Sequence, residues 1–141
     1  MCYEACSIPH LTSVVGLELL PSRIAQALTL KKQHKTLMQH CKFYLHDLKK
    51  PFIGLTQPSL AYVCSTCFEP DLIEKISSWV TDDLLIKSII SLKPLPLNAA
   101  SWKISTIGMI LCSWDVSNYY QYERLEKLIL KTSTNLLEGK K

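Results

Sequence analysis

Apolar residues recur along most of the chain at intervals of three and four, the spacing of one helical face, and prolines and capping residues cut that pattern into helix-sized pieces. Residues 21–50, 58–68, 70–92, 98–114 and 117–138 each read as helical, and Pro21, Pro58 and Pro70 stand at first helical positions. The third piece divides at Thr81, Asp82 and Asp83, where an N-cap residue precedes two acids. The first divides near 31–35, because Ile24, Ala27 and Leu28 lie on a face rotated from that of Leu37, Cys41, Leu45 and Leu48. Gly139 suits the end of the last piece. Alternation at period two is nearly absent, and only 11–20 and 52–56 read as extended.

This pattern predicts an all-α fold: a single helical domain over residues 1–141, with 1–20 a poorly defined N-terminal segment. Short links such as 93–97 favour antiparallel neighbours. The architecture expected is a five- to six-helix bundle or a short HEAT-like stack of helical hairpins, and no clear repeat of solenoid length is found.

Composition sharpens this picture in three places. A chain of 141 residues that is 48% apolar has the material for a real core and is not disordered in composition. Its most apolar stretch, 104–114, is too short to cross a bilayer, so no membrane partner is expected. Residues 1–21 hold Glu4 and Glu18 but no Lys or Arg, unlike a secretory signal, and six cysteines then point to a reducing compartment, cytoplasm or nucleus.

Chemistry-bearing motifs are sparse. Cys64 and Cys67 fall three apart, which on a helix puts both thiols on one face, but no second pair of standard spacing completes a zinc site. Cys2, Cys6 and His10 recur every four residues, and Pro9 interrupts them. Cys41 and Cys112 sit in apolar stripes and read as small buried hydrophobes, and His34 reads as a hydrogen-bonded core residue. No nucleophile elbow, zincin motif or glycine-rich phosphate loop occurs. The expectation is a protein that is not an enzyme and carries no cofactor or metal, with a small-molecule ligand unlooked for.

The suggestive feature is a basic segment over 31–50. Wound as a helix, it places Lys32, Lys35, Lys42, His46 and Lys50 on the solvent side with Phe43 among them. The last piece repeats the arrangement, with Tyr120, Arg124, Lys127 and Lys131 opposite an apolar face. Residues 69–83 are acidic by contrast, which makes the surface dipolar. These residues predict an interaction surface for a protein partner of acidic character, and hence a non-catalytic helical adaptor or complex subunit. The alternatives are a nucleic-acid-binding protein that sets Lys31, Lys32, Lys35, Lys42, Lys49 and Lys50 on phosphates, and a zinc or thiol protein centred on Cys64 and Cys67.

Overall fold

The computed structural model describes residues 12–112 and 115–126, and over these the chain is a mixed α/β protein rather than a helical bundle. Six strands and two helices follow in the order β1 (Val14–Glu18), α1 (Pro21–Gln33), β2 (Cys41–Leu45), β3 (Ser59–Val63), α2 (Pro70–Asp82), β4 (Ile86–Ser91), β5 (Trp102–Leu111) and β6 (Val116–Arg124). The bundle and the hairpin stack are both overturned. Of the helical expectations, only the opening of the 21–50 piece and of the 70–92 piece hold as helices.

The reason is local. Residues 86–91 read Ile-Lys-Ser-Ile-Ile-Ser and 102–111 are a nearly continuous β-branched and apolar run, and such short runs fit a pleated strand as well as a helix face. Pro58 precedes a strand, not a helix. The basic segment is broken too: α1 stops at Gln33 and Cys41–Leu45 is a strand, so its lysines never share one helical face. The expected extended character of 11–20 is met by β1, whereas 52–56 forms no strand.

Two sheets result. β1 and β2 pair in parallel, with Val14 opposite Cys41 and Glu18 opposite Leu45. The other sheet has the order β3-β4-β6-β5, in which β3 and β4 are parallel and β6 runs antiparallel to both β4 and β5. Helices connect each parallel pair, as parallel strands require. Residues 46–58 cross from β2 to β3 without a helix or strand of their own.

The core lies under the larger sheet. α2 begins with Pro70 in its first turn and turns Ile73, Ile76, Ser77 and Val80 inward, positions i, i+3, i+4 and i+7. The three apolar members meet Ile86 and Ile89 of β4, Leu95, Trp102 and Tyr122. Each of the fully buried side chains contributes about 1.5–3 kcal/mol by leaving water. The helix ends where the Asp83 carboxylate accepts the Leu85 amide at 2.9 Å and turns the chain into β4. No residue of β1, α1 or β2 belongs to this core cluster.

Candidate functional site at the carboxyl ends of the parallel strands

In open α/β sheets the loops beyond the carboxyl ends of the parallel strands form the ligand crevice. In this chain those ends carry Glu18 after β1, His46 and Asp47 after β2, the 64–68 turn after β3 and the 92–94 turn after β4.

Glu18 is held firmly. Its Oε1 accepts the backbone amides of Leu19 and Leu20 at 2.9 and 3.0 Å, while Oε2 has only a long contact of 3.4 Å with Arg23. The carboxylate is thus oriented by its own turn and keeps one oxygen for another donor. Beside it, the His46 amide donates to the Glu18 carbonyl at 2.8 Å, and the Asp47 carboxylate accepts the Lys49 amide at 2.9 Å. Two carboxylates therefore stand at the ends of neighbouring strands.

The 64–68 turn is built on a buried pair of hydroxyls. Ser65 Oγ lies 2.9 Å from Ser91 Oγ and accepts the Lys93 amide at 2.8 Å, which fastens the end of β3 to the end of β4. Lys93 Nζ donates to the Phe68 carbonyl at 3.0 Å. Around these groups Thr66, Cys67, Phe68, Glu74, Lys93 and Pro96 line an open hollow of about 460 Å³. Burial pushes the Tyr62 phenol up to about 12, and the neighbouring Cys64 and Cys112 thiols add to the shift.

The sequence-predicted residues are dispersed. Lys32 and Lys35 are exposed and share an open hollow of about 430 Å³ with Leu28 and Lys31, but the Lys31 ammonium donates to the Cys41 carbonyl. Lys42 is exposed and Phe43 half-buried on β2, and Lys50 closes a turn with its amide on the Asp47 carbonyl. Lys49 of the basic segment pairs with Asp71 of the acidic one at 2.9 Å, so part of the charge dipole is satisfied within the chain. Tyr120 packs against the core, and Arg124 donates to four backbone carbonyls on and beside α2 and β4. Lys127 and Lys131 lie outside the described residues, as do Cys2, Cys6 and His10. Cys64 and Cys67 are exposed thiols on a turn, so the helical face that was to unite them does not exist. Among the described residues no three His, Cys, Asp or Glu side chains gather as metal ligands, and no helix is long and apolar enough to cross a membrane.

Glu18, Asp47, Ser65 and Lys93 escaped the sequence reading. A readable signal did exist for the first: the apolar run 14–17 ends on an acid three residues before a helix-starting proline, which is how a strand hands over to a helix.

Neither a protein-family model nor a curated protein sequence matches the chain. A crystal structure of a candidate methylase from Haemophilus influenzae is similar in fold: TM-score 0.58 at 19% identity, over 82% of this chain and 68% of that one. At that identity the likeness establishes the fold alone. The two sheets overturn the non-catalytic helical adaptor and the basic-helix and helical-thiol alternatives, which rested on an all-α chain, and the methylase-like neighbour stands against the expectation of no enzyme, which rested on the absence of familiar catalytic motifs. The fold is methylase-like.

Proposed function

We propose that the chain is a methyl-transfer protein of the α/β kind, in which Glu18 binds a ribose hydroxyl of the methyl donor and the acceptor enters at the hollow beside Thr66, Phe68 and Lys93. The observation that carries the reading is the position of Glu18: an acid at the carboxyl end of a parallel strand, oriented by two amides and with one oxygen left outward, in a methylase-like fold. In doubly wound folds an acid in this place accepts from the ribose of a bound nucleoside.

The remaining donor-binding features fit only in part. A nucleoside-type donor is ordinarily also cradled by a glycine-rich turn after the first strand, where close backbone approach needs residues without a Cβ. Among the described residues glycine occurs at 16, inside β1, at 54 in the β2–β3 crossover and at 108 inside β5, and none forms such a turn. The described residues supply the ribose anchor without that cradle, and no transfer step follows from them alone.

The test is a titration of the whole chain with S-adenosylmethionine followed by amide shifts. Weak binding, on the order of millimolar, is expected with shifts centred on 14–20. In Glu18→Gln it should weaken about tenfold, since a charged hydrogen bond is lost. Equal affinity in the variant, or shifts that leave 14–20 untouched, would remove the donor reading.

A further inference from the structure

The larger sheet ends on β5, which among the described residues is bonded on one side only, to β6. β6 in turn leaves β4 at the pair Ser91–Tyr120, so residues 108–111 and 116–119 project past the carboxyl end of β4 as a two-stranded arm. The face on which Tyr122 and Tyr120 pack toward the core continues along the arm as Ile107, Met109, Leu111 and Val116. There it is bare: Ile107 is 61%, Met109 76% and Leu111 81% exposed. A lone two-stranded arm is marginal in water, and natural edges are guarded by charges, prolines or bulges. No charge or proline stands between Ile104 and Leu111, and the ladder is irregular only at its base, between Ile104 and Thr106.

The backbone fixes which groups face outward. The Cys112 amide donates to the Asp115 carbonyl at 2.8 Å, so these two residues close the arm as a hydrogen-bonded pair. Alternation along an antiparallel ladder then makes Ile110–Ser117 and Gly108–Tyr119 bonded pairs, and it turns the amides and carbonyls of Ile107, Met109 and Leu111 away from β6. The residues whose backbone faces outward thus carry the three most exposed large apolar side chains of β5.

The pattern around Met109 selects the occupant. Set antiparallel against itself, with Met109 opposite Met109 of a second copy, the edge places Ile107 opposite Leu111 and Leu111 opposite Ile107, and every outward amide and carbonyl of the three residues is bonded. Gly108 falls opposite Ile110, so a branched side chain meets a position without one. No charge meets its like. Residues 104–111 carry none, and Lys103 and Asp115, six residues to either side of Met109, approach each other with opposite sign. Lys103 lies 3.1 Å from Glu123 of its own chain, yet its side chain stays 56% exposed. The side chains of Ile107, Met109, Ile110, Leu111 and Val116 present on the order of 500 Å² per copy, so two copies would hide roughly 1,000 Å², the low end for a specific interface.

We infer that β5 is the edge through which two copies of this chain join, antiparallel and about a two-fold axis at Met109, to make one continuous sheet from the two larger sheets. Ile107, Met109 and Leu111 supply its hydrogen bonds and the apolar residues of the arm its cover. The dimer is weak, with a dissociation constant on the order of 10–100 µM. It stands or falls apart from the donor reading, because β5 lies at the opposite edge of the sheet from β3.

Sedimentation and residue-resolved hydrogen exchange of the full chain, without methyl donor, at about 1 µM and about 1 mM test it. The chain should pass from monomer to dimer over that range. Amides of Ile107, Met109 and Leu111 should exchange about tenfold more slowly at the upper concentration, while those of Gly108 and Ile110, already bonded to β6, stay unchanged. Met109→Lys and Met109→Asp should each remain monomeric, whereas an equal mixture of the two should dimerise, because unlike charges then face each other across the axis. Unaltered exchange at Gly108 and Ile110 in both variants shows that the arm is still folded. A chain that stays monomeric at the upper concentration would overturn the inference and leave the edge to a different protein. Outward amides equally slow at both concentrations would overturn it too, since the chain would then cover its own edge. So would dimers that form undiminished in Met109→Lys, or a mixture of the two variants that stays monomeric.

Discussion

The hydroxyls of Ser65 and Ser91 meet at 2.9 Å in a fully buried position where β3 and β4 leave the sheet side by side. Ser65 Oγ also accepts the Lys93 amide, so it is the centre of a three-group network and Ser91 is its end. Ser65→Ala strands both the Ser91 hydroxyl and the Lys93 amide and should cost about 2–3 kcal/mol, whereas Ser91→Ala leaves Ser65 its amide partner and should cost about 1 kcal/mol. Urea unfolding of both single variants and of the double checks the order. Equal costs would mean that the Lys93 amide finds another acceptor.

Arg124 ties the sheet to α2. Its guanidinium and Nε donate to the carbonyls of Val80, Thr81, Asp83 and Ile86 at 2.7–3.1 Å, and its Cζ lies 4.3 Å from the centre of the Trp102 ring. The planar fork matches carbonyls spread around a helix C-terminus, which also favours positive charge. Arg124→Lys keeps the charge but cannot span four acceptors, and it should lower stability by about 2–3 kcal/mol in denaturant melts. A side chain serving only as an outward contact would tolerate lysine without loss.

How much of this was legible depended on which elements bury one stripe. α2 was readable because Ile73, Ile76 and Val80 repeat at helical intervals behind Pro70. β4 and β5 were not, because Ile89 and Ile90, or the run 106–111, satisfy both periods over so short a span. Misreading the strands hid the site as well. Glu18 and Asp47 stand near each other only because the parallel strands β1 and β2 end together, and a helical reading scatters them around separate axes. Arg124 looked like part of a cationic stripe, since nothing in its neighbours' spacing announces four backbone carbonyls contributed by residues 80–86.

Lys49 and Asp71 form an exposed pair that should report pH without governing the fold. The hydrogen bond to Lys49 holds the Asp71 carboxyl below its ordinary value, and the same bond to Asp71 raises the Lys49 ammonium above its own. The carboxyl's contribution is therefore present above the ordinary carboxylate range and lost as pH falls toward the lowered value. The ammonium's is present below the ordinary lysine range and lost as pH rises through the raised value. In Lys49→Met the Asp71 titration followed by NMR should move upward, and high salt on the unaltered chain should move it the same way. An unmoved titration in Lys49→Met would mean that the ion pair does not form in solution.

Gly108 stands opposite Tyr119 in the β5–β6 ladder, and the tyrosine ring lies over it so closely that a Cβ at 108 would come within 2.7 Å of Cε1 and 2.9 Å of Cζ and Oη. Two effects oppose each other in Gly108→Ala. Alanine removes unfolded-chain freedom and gains about 0.5–1 kcal/mol, but the ring must swing off its cross-strand seat, losing up to about 1 kcal/mol of packing besides the strain of moving. The ring effect should win, giving a net loss of about 1 kcal/mol. In a Tyr119→Ala background the obstacle is gone, and the same glycine replacement should become stabilising. Thermal melts of the four species close the cycle. A Gly108→Ala substitution with the same sign in both backgrounds would show that the ring does not rest on the glycine.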